Sequence, residues 1–157
     1  MLYLYLLFIF LSTTAFSQTY RKTASNEIIY GISLGYANQA GNFGKVGAFT
    51  EVSFGDAFFL KADVNANLTG MQNQFNVIPE LGFTLYYLET EMLLLGAFVE
   101  TEITPHTITP KIGLTAITFF DIGFGYGFEF NQKENFKSLK GFQFSVGLNI
   151  PLNFNIY

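Results

Sequence analysis

Cysteine is absent from the 157-residue chain. That excludes disulfides, thiolate metal sites and a lipidated N-terminal cysteine, so stability has to come from strand pairing and packing. Positive charge is scarce as well: 8 Lys and Arg against 12 Asp and Glu leave a net charge of −4. With no basic stripe to neutralise phosphates, nucleic acid is not an expected partner. Half of the residues are hydrophobic, yet beyond residue 17 no apolar run approaches the length of a membrane-spanning helix. High apolar content without helical spans is what a membrane β-barrel produces, because its strands hide their hydrophobicity by alternation.

The N-terminus is read separately. Leu2 to Leu11 is an apolar run too short for a spanning helix, and Ser-Thr-Thr-Ala-Phe-Ser follows it. This is the pattern of a secretory signal peptide, with Ala15 and Ser17 as the small residues before cleavage at Gln18. The expected organisation is a signal peptide over 1–17, a polar periplasmic lead-in over 18–26 that carries Arg21 and Lys22, and a single barrel domain over 27–157.

The remainder alternates with period two. From Phe142 to Ile156 every even position is apolar, and from Gln143 to Asn155 every odd position is an amide, a hydroxyl, Gly or Pro. Such a segment is a strand with one greasy and one small, uncharged polar face, Leu148 outward and Asn149 inward. Seven further segments fit the same template. Their outward faces include Tyr30, Ile32 and Leu34; Val46, Ala48 and Val52; Leu60, Ala62 and Val64; Leu81, Phe83 and Leu85; Leu93, Leu95, Ala97 and Val99; Ile112 and Leu114; and Ile122, Phe124 and Tyr126. The fold class expected is all-β, an eight-stranded antiparallel up-and-down transmembrane barrel. Pro79 cannot donate to a ladder, so a bulge is expected in the fourth strand.

Two regularities favour a membrane barrel. Turn-rich stretches at Asn38 to Gly44, Asn67 to Gln74, near Pro105 and at Asn131 to Gly141 predict longer external loops, whereas Gly55-Asp56, Glu89 to Glu91 and Asp121 predict short turns. The strand charges Lys45, Glu51, Lys61, Asp63, Glu80, Glu100, Glu102, Lys111 and Glu129 all take the inward parity and make a candidate lumen charge network. A soluble lipocalin-like barrel predicts the reverse, with an apolar cavity and charges outside. Aromatic girdles are expected at both rims, one from Phe54, Phe58, Tyr87, Phe120, Phe154 and Tyr157, the other from Tyr36, Phe75, Phe128, Phe130 and Phe142.

The terminal strand contains Ser145-x-Gly147-x-x-Ile150-x-Leu152 and reaches Tyr157, and an earlier strand contains Pro79-Glu80-Leu81-Gly82. In these motifs the chain resembles the small outer-membrane β-barrel proteins of Gram-negative bacteria, the OmpA/OmpX-like group described as porin-family or outer membrane protein β-barrel domains. The Pro-Glu-Leu-Gly string is similar to members from the Bacteroidetes. Pro151 inside the terminal motif, and Tyr rather than the commoner Phe at the end, depart from the group. The resemblance implies that the barrel assembly machinery reads Ser145, Gly147, Ile150, Leu152 and Tyr157 during biogenesis, and that the protein resides in the outer membrane.

Motifs that could carry chemistry lack their context. Gly31-Ile-Ser33-Leu-Gly35 matches a hydrolase nucleophile elbow, but Ser33 sits mid-strand where an elbow needs a sharp turn into a helix. His106 is the sole histidine and falls in a predicted loop, and Ile108 stands where outer-membrane lipid hydrolases would carry a serine. Gly123-x-Gly125-x-Gly127 lies in a strand and opens no helix, so its glycines are read as making room in a narrow interior. No catalytic residue, metal or cofactor is expected. Lys133, Lys137 and Lys140 in the last loop are candidates for contact with lipopolysaccharide phosphates. The expected role is structural or surface interaction through external loops of a monomer set in outer-membrane lipid, its lumen plugged by paired charges. A narrow low-conductance channel and a lipid-modifying enzyme are the alternatives.

Overall fold

The computed structural model describes residues 28–54, 57–71, 73–88, 95–132 and 137–153. The signal peptide, the lead-in, Gly55-Asp56, Glu89 to Glu91, Leu93, Lys133, Phe154 and Tyr157 fall outside those residues. Eight antiparallel strands follow one another around a closed barrel: β1 Ile28–Gln39, β2 Gly41–Phe54, β3 Phe58–Met71, β4 Gln74–Leu88, β5 Gly96–Ile103, β6 Thr107–Ala116, β7 Phe120–Glu129 and β8 Gly141–Pro151. The all-β up-and-down barrel read from the alternation is the observed fold, and each strand keeps the predicted parity of faces.

The register sets the geometry. Stepping through paired residues from Ile28, the circuit visits Val52, Leu60, Leu85, Val99, Ile112, Phe124 and Phe144 and returns to β1 at Asn38, ten residues further along. For eight strands that shear gives a tilt of about 40° and a rise of about 2.5 Å per residue along the axis. Every residue on the circuit before Asn38 is apolar and faces outward. The belt so traced is therefore about 25 Å tall before the first polar outward residue. Clusters of aromatics bound it: Phe54–Phe58–Tyr87 at the lower end, and Tyr126–Phe128–Phe142 at the upper end, with ring centroids 5.0–6.0 Å apart.

Several boundaries differ from the sequence reading. The stretches 38–44 and 67–74, expected as long loops, are largely strand: β1 pairs with β2 up to Gln39↔Gly41, and β3 with β4 up to Met71↔Gln74. Their polar residues lie beyond the apolar belt and bond across the ladder, as Asn38 Nδ2 to Asn42 Oδ1 at 2.8 Å and Thr69 Oγ1 to the Asn42 carbonyl at 2.8 Å. Turn-forming composition there marks exposure to water and not a break in pairing. The expected alternation of long and short connections consequently fails, since one residue, Ala40, joins β1 to β2.

Pro79 makes no bulge. Ala66↔Pro79 and Asn67↔Ile78 are in continuous register, and the β4–β5 ladder ends at Leu81↔Ile103, so the missing N–H of Pro79 has no partner to disappoint on that side. Asp121 is not in a turn but on β7, paired with Thr115 and buried. The turn is Ala116 to Phe119, closed by Phe119 N–H to the Ala116 carbonyl at 3.0 Å. Ile117 and Thr118 occupy its central positions at φ 56° and 60°, where hairpins of this kind ordinarily carry Asn-Gly. A left-handed β-branched residue costs about 1–3 kcal/mol. Here the turn is folded into the lower mouth, both residues are buried, and Asn149 Nδ2 donates to the Thr118 carbonyl at 2.7 Å. Among the described residues β8 ends at Pro151, and the expected continuation to Ile156 lies outside them; Asn153 bonds sideways to β1 through Tyr30 N–H and the Ile28 carbonyl.

Candidate functional site

Among the described residues, the barrel interior is where the strands bring charged side chains together. Odd positions on β2 and β3 and even positions on β4, β5 and, through the intervening turns, odd positions on β6 to β8 all point inward. Two ion clusters result. In the upper one Lys45 Nζ lies 2.8 Å from Glu80 and also pairs with Glu102, while Lys111 Nζ is 2.7 Å from Glu100 and 2.5 Å from Glu102. Gln143 donates to Glu102 at 2.9 Å, Asn67 to Glu80 at 2.7 Å, and Lys111 to Ser145 at 3.2 Å. In the lower one Lys61 sits 3.5 Å from Asp63 and 3.7 Å from Asp121, over the Tyr86 ring at 5.6 Å, and donates to Asn149 Oδ1 at 3.2 Å. Tyr86 OH and Asn149 Nδ2 both donate to Asp121 Oδ2, at 2.7 and 2.9 Å. Asn65 joins the clusters, bonding to Asp63 at 2.5 Å and to Glu80 at 3.4 Å, and its Oδ1 accepts from Ser33 at 2.5 Å.

Apolar layers close this polar column above and below. Phe59, Tyr86, Leu88 and Phe98 pack together at the lower end, and Ala37, Phe43, Met71, Ile78 and Leu139 at the upper. Between them the interior leaves cavities of about 40 and 20 Å³. Such spaces hold single waters or small groups of them and nothing larger. Asn67 Oδ1, Thr84 Oγ1, Thr115 Oγ1 and Asp121 Oδ1 are the described buried side-chain polar atoms without a protein partner; Asp121 lines the larger of these cavities and Asn67 the smaller, which suits those two to such waters.

Lumen glycines seat specific large neighbours. A Cβ on Gly113 would come within 2.5–2.6 Å of the Phe98 ring, and one on Gly123 within 3.0 Å. Phe98 therefore lies across the barrel over two strands that present no side chain. Gly113→Val is expected to destabilise the fold by about 1–3 kcal/mol through overpacking. A denaturant titration of refolded protein, read against Gly44→Val, whose Cβ would meet nothing within 4 Å, checks it.

Of the nine charges assigned to one network, seven take part in the ion pairs of the two clusters. Glu51 is buried nearer the lower mouth, across the ladder from Lys61, and accepts from Thr118 Oγ1 at 3.3 Å. Glu129 stands at the upper rim and accepts from Ser138 Oγ at 2.7 Å and Leu139 N–H at 3.1 Å, so it braces the β7–β8 connection and does not join the column. Asp121, Tyr86, Asn65, Asn67, Gln143 and Asn149 also belong to the column. Gln143 and Asn149 keep the inward parity expected of them, though neither is among the residues assigned to the network; Asp121 is expected in a turn, and Tyr86 and Asn67 share the inward face of their strands.

Other candidates disperse. Ser33 is buried mid-strand, and His106 lies in the β5–β6 turn with its ring nitrogen 3.0 Å from the Asn131 carbonyl, so no nucleophile–base pair forms between them. No group of metal-ligating side chains occurs among the described residues. Of the terminal motif, Ser145 and Gly147 face the lumen, Ile150 and Leu152 face out, and Tyr157 is not described. Lys137 and Lys140 are exposed at the upper end. No family model, curated protein or solved structure matches this chain. Its chemistry has to be read from the barrel itself.

Proposed function

We propose that the chain is an outer-membrane β-barrel protein whose lumen is a packed plug and whose role, structural or surface-interacting, is exercised at the upper end. The polarity of the wall carries this reading. Among the described strand residues every charge faces inward, while Leu60, Val64, Leu81, Phe83, Val99, Ile112 and Leu148 are among many large apolar side chains exposed on the outside. A soluble barrel would expose contiguous apolar surface to water; lipid removes that cost. The belt of about 25 Å and its two aromatic clusters suit an outer membrane in height. Residence there, the signal peptide, assembly through the terminal motif and membership of the OmpA/OmpX-like group of the Bacteroidetes all belong to the proposal, as does the lack of enzymatic activity.

The surface role falls on fewer residues than the sequence implied. Since the 38–44 and 67–74 stretches are largely strand, the upper end offers two narrow hairpins, the β5–β6 turn and the β7–β8 connection, where Lys137 and Lys140 would meet lipopolysaccharide phosphates. A channel is disfavoured by the closed column and its apolar seals. Cell fractionation is expected to place the protein in the outer membrane, with folded and boiled forms migrating differently on a detergent gel. Recovery as a soluble periplasmic monomer would end the reading. In planar bilayers the unmodified protein should show no steady conductance, and passage of sugars would replace the plug by a pore.

A further inference from the structure

The outward wall is hollowed on one side. Across β3 to β7 it carries an open groove of about 600 Å³ that runs obliquely from Phe124 and Gly125 on β7 down to Leu60 on β3. Phe83, Leu85, Val99 and Ile112 line it, and among them lie the smaller Thr101 and Pro110, paired with one another on β5 and β6. Thr84, Glu100 and Lys111 of the inward face also border it. Four inter-strand spacings, about 19 Å, separate its ends, comparable with the reach of one lipid chain into a hydrocarbon core about 30 Å thick.

The backbone at the upper end of this groove is short of a donor. β6 pairs with β7 at Ile108↔Phe128 and again at Lys111↔Gly125 in the same register, yet the two rungs between them, Thr109↔Gly127 and Pro110↔Tyr126, are missing. A residue in an antiparallel strand turns its N–H and C=O to the same neighbour, so hydrogen-bonded pairs alternate with open ones. Both missing rungs depend on one bond, from the N–H of residue 110 to the Tyr126 carbonyl, and proline has no N–H. Pairing of Pro110 with Thr101 on its other side is intact, which confines the defect to β7. The Tyr126 carbonyl thus lacks its ladder donor. It lies beside the Tyr126–Phe128–Phe142 ring cluster that bounds the apolar belt, where lipid head and chain would meet. An acceptor left unpaired against hydrocarbon is costly, because no water is at hand to replace the lost bond.

We propose that this groove holds one chain of a membrane lipid that carries a hydrogen-bond donor, an amide N–H or a hydroxyl, at the head of that chain, and that the donor meets the Tyr126 carbonyl. The inference rests on the outer-membrane reading. Two independent features select the occupant. The groove is an apolar hollow within the belt, which fits an acyl chain, and the orphaned backbone group at its upper end is an acceptor, which a chain joined through an ester has no donor to answer.

Tryptophan is absent from the chain, so an introduced one reports contact with brominated lipid chains through quenching. Ile103→Trp places it on the outward face of β5, two residues above Thr101; Val46→Trp, outward on β2 and away from the groove, is the control. The probes are phosphatidylcholine vesicles that contain either a brominated ceramide, whose chain begins at an amide N–H, or a brominated phosphatidylcholine, whose chains begin at esters. At Ile103→Trp the ceramide is expected to bind roughly fivefold more strongly than the ester lipid, the worth of one hydrogen bond, and at Val46→Trp the two should quench alike. Pro110→Ala returns the missing N–H to the ladder and should abolish the preference. Equal quenching at Ile103→Trp overturns the proposal, as does a preference that Val46→Trp shares or that Pro110→Ala leaves intact. Those results leave the outer-membrane reading standing. If neither lipid quenches either tryptophan in protein shown to be folded by its gel shift, the wall does not meet lipid, and that reading falls together with the proposal.

Discussion

Lys111→Met is expected to lower the unfolding free energy by about 3–5 kcal/mol, the cost of leaving a buried charge without its partner. Lys111 is buried and touches two carboxylates, Glu100 at 2.7 Å and Glu102 at 2.5 Å. Glu102 would keep Lys45, but Glu100 has no other described lysine within 4 Å. The loss should therefore be traceable to one carboxylate. Glu100→Gln added to Lys111→Met should recover much of the stability, because it removes the orphaned charge. Urea titration of the protein refolded in lipid vesicles, followed by the gel shift between folded and unfolded forms, measures both. If the single variant were as stable as the unmodified chain, the upper ion cluster would not be a paired plug.

Leu148→Arg should cost about 2–4 kcal/mol in lipid vesicles, the penalty for a charge facing the hydrocarbon at mid-depth. Leu148 is exposed, pairs with Leu34 and Phe120, and lies about half-way up the apolar belt. The penalty should shrink in detergent micelles, where water and headgroups reach the guanidinium. An unchanged stability in vesicles would show that this face does not meet lipid. Its neighbour Asn149 gives the opposite contrast. From the sequence alone Asn149→Ser is a mild change of one small polar residue for another. In the fold the amide donates to Thr118 at 2.7 Å and to Asp121 at 2.9 Å while accepting from Lys61 at 3.2 Å, and a serine reaches too few of these. Asn149→Ser is accordingly expected to cost about 1–3 kcal/mol, the price of stranding buried partners, and to do so equally in vesicles and in micelles.

The faces of this barrel were legible in the sequence because a strand reverses its side chains at every residue, so that parity alone separates Leu148 from Asn149 and Ile112 from Lys111. Strand number and the inward placement of the charges followed from the same count. Strand ends did not. Asn38 to Gly44 and Asn67 to Gln74 carry turn residues because they leave the apolar belt, and pairing continues through them; composition reports solvent, while the ladder is decided by the neighbouring strand. The absence of a bulge at Pro79 was likewise decided by where β5 stops pairing.

What no pattern along the chain contains is which inward residues meet. A register offset of ten residues around the barrel brings Lys61 to Asp121 and Asn149, and Lys45 to Glu102, across strands far apart in sequence. The return of the β7–β8 connection to put Leu139 among Ala37, Phe43, Met71 and Ile78 depends on closure of β1 against β8, a long-range contact with no local signal. Period-two alternation determined what faces in and what faces out; closure and shear decided which of the inward groups became partners, because only they set the distances across the lumen.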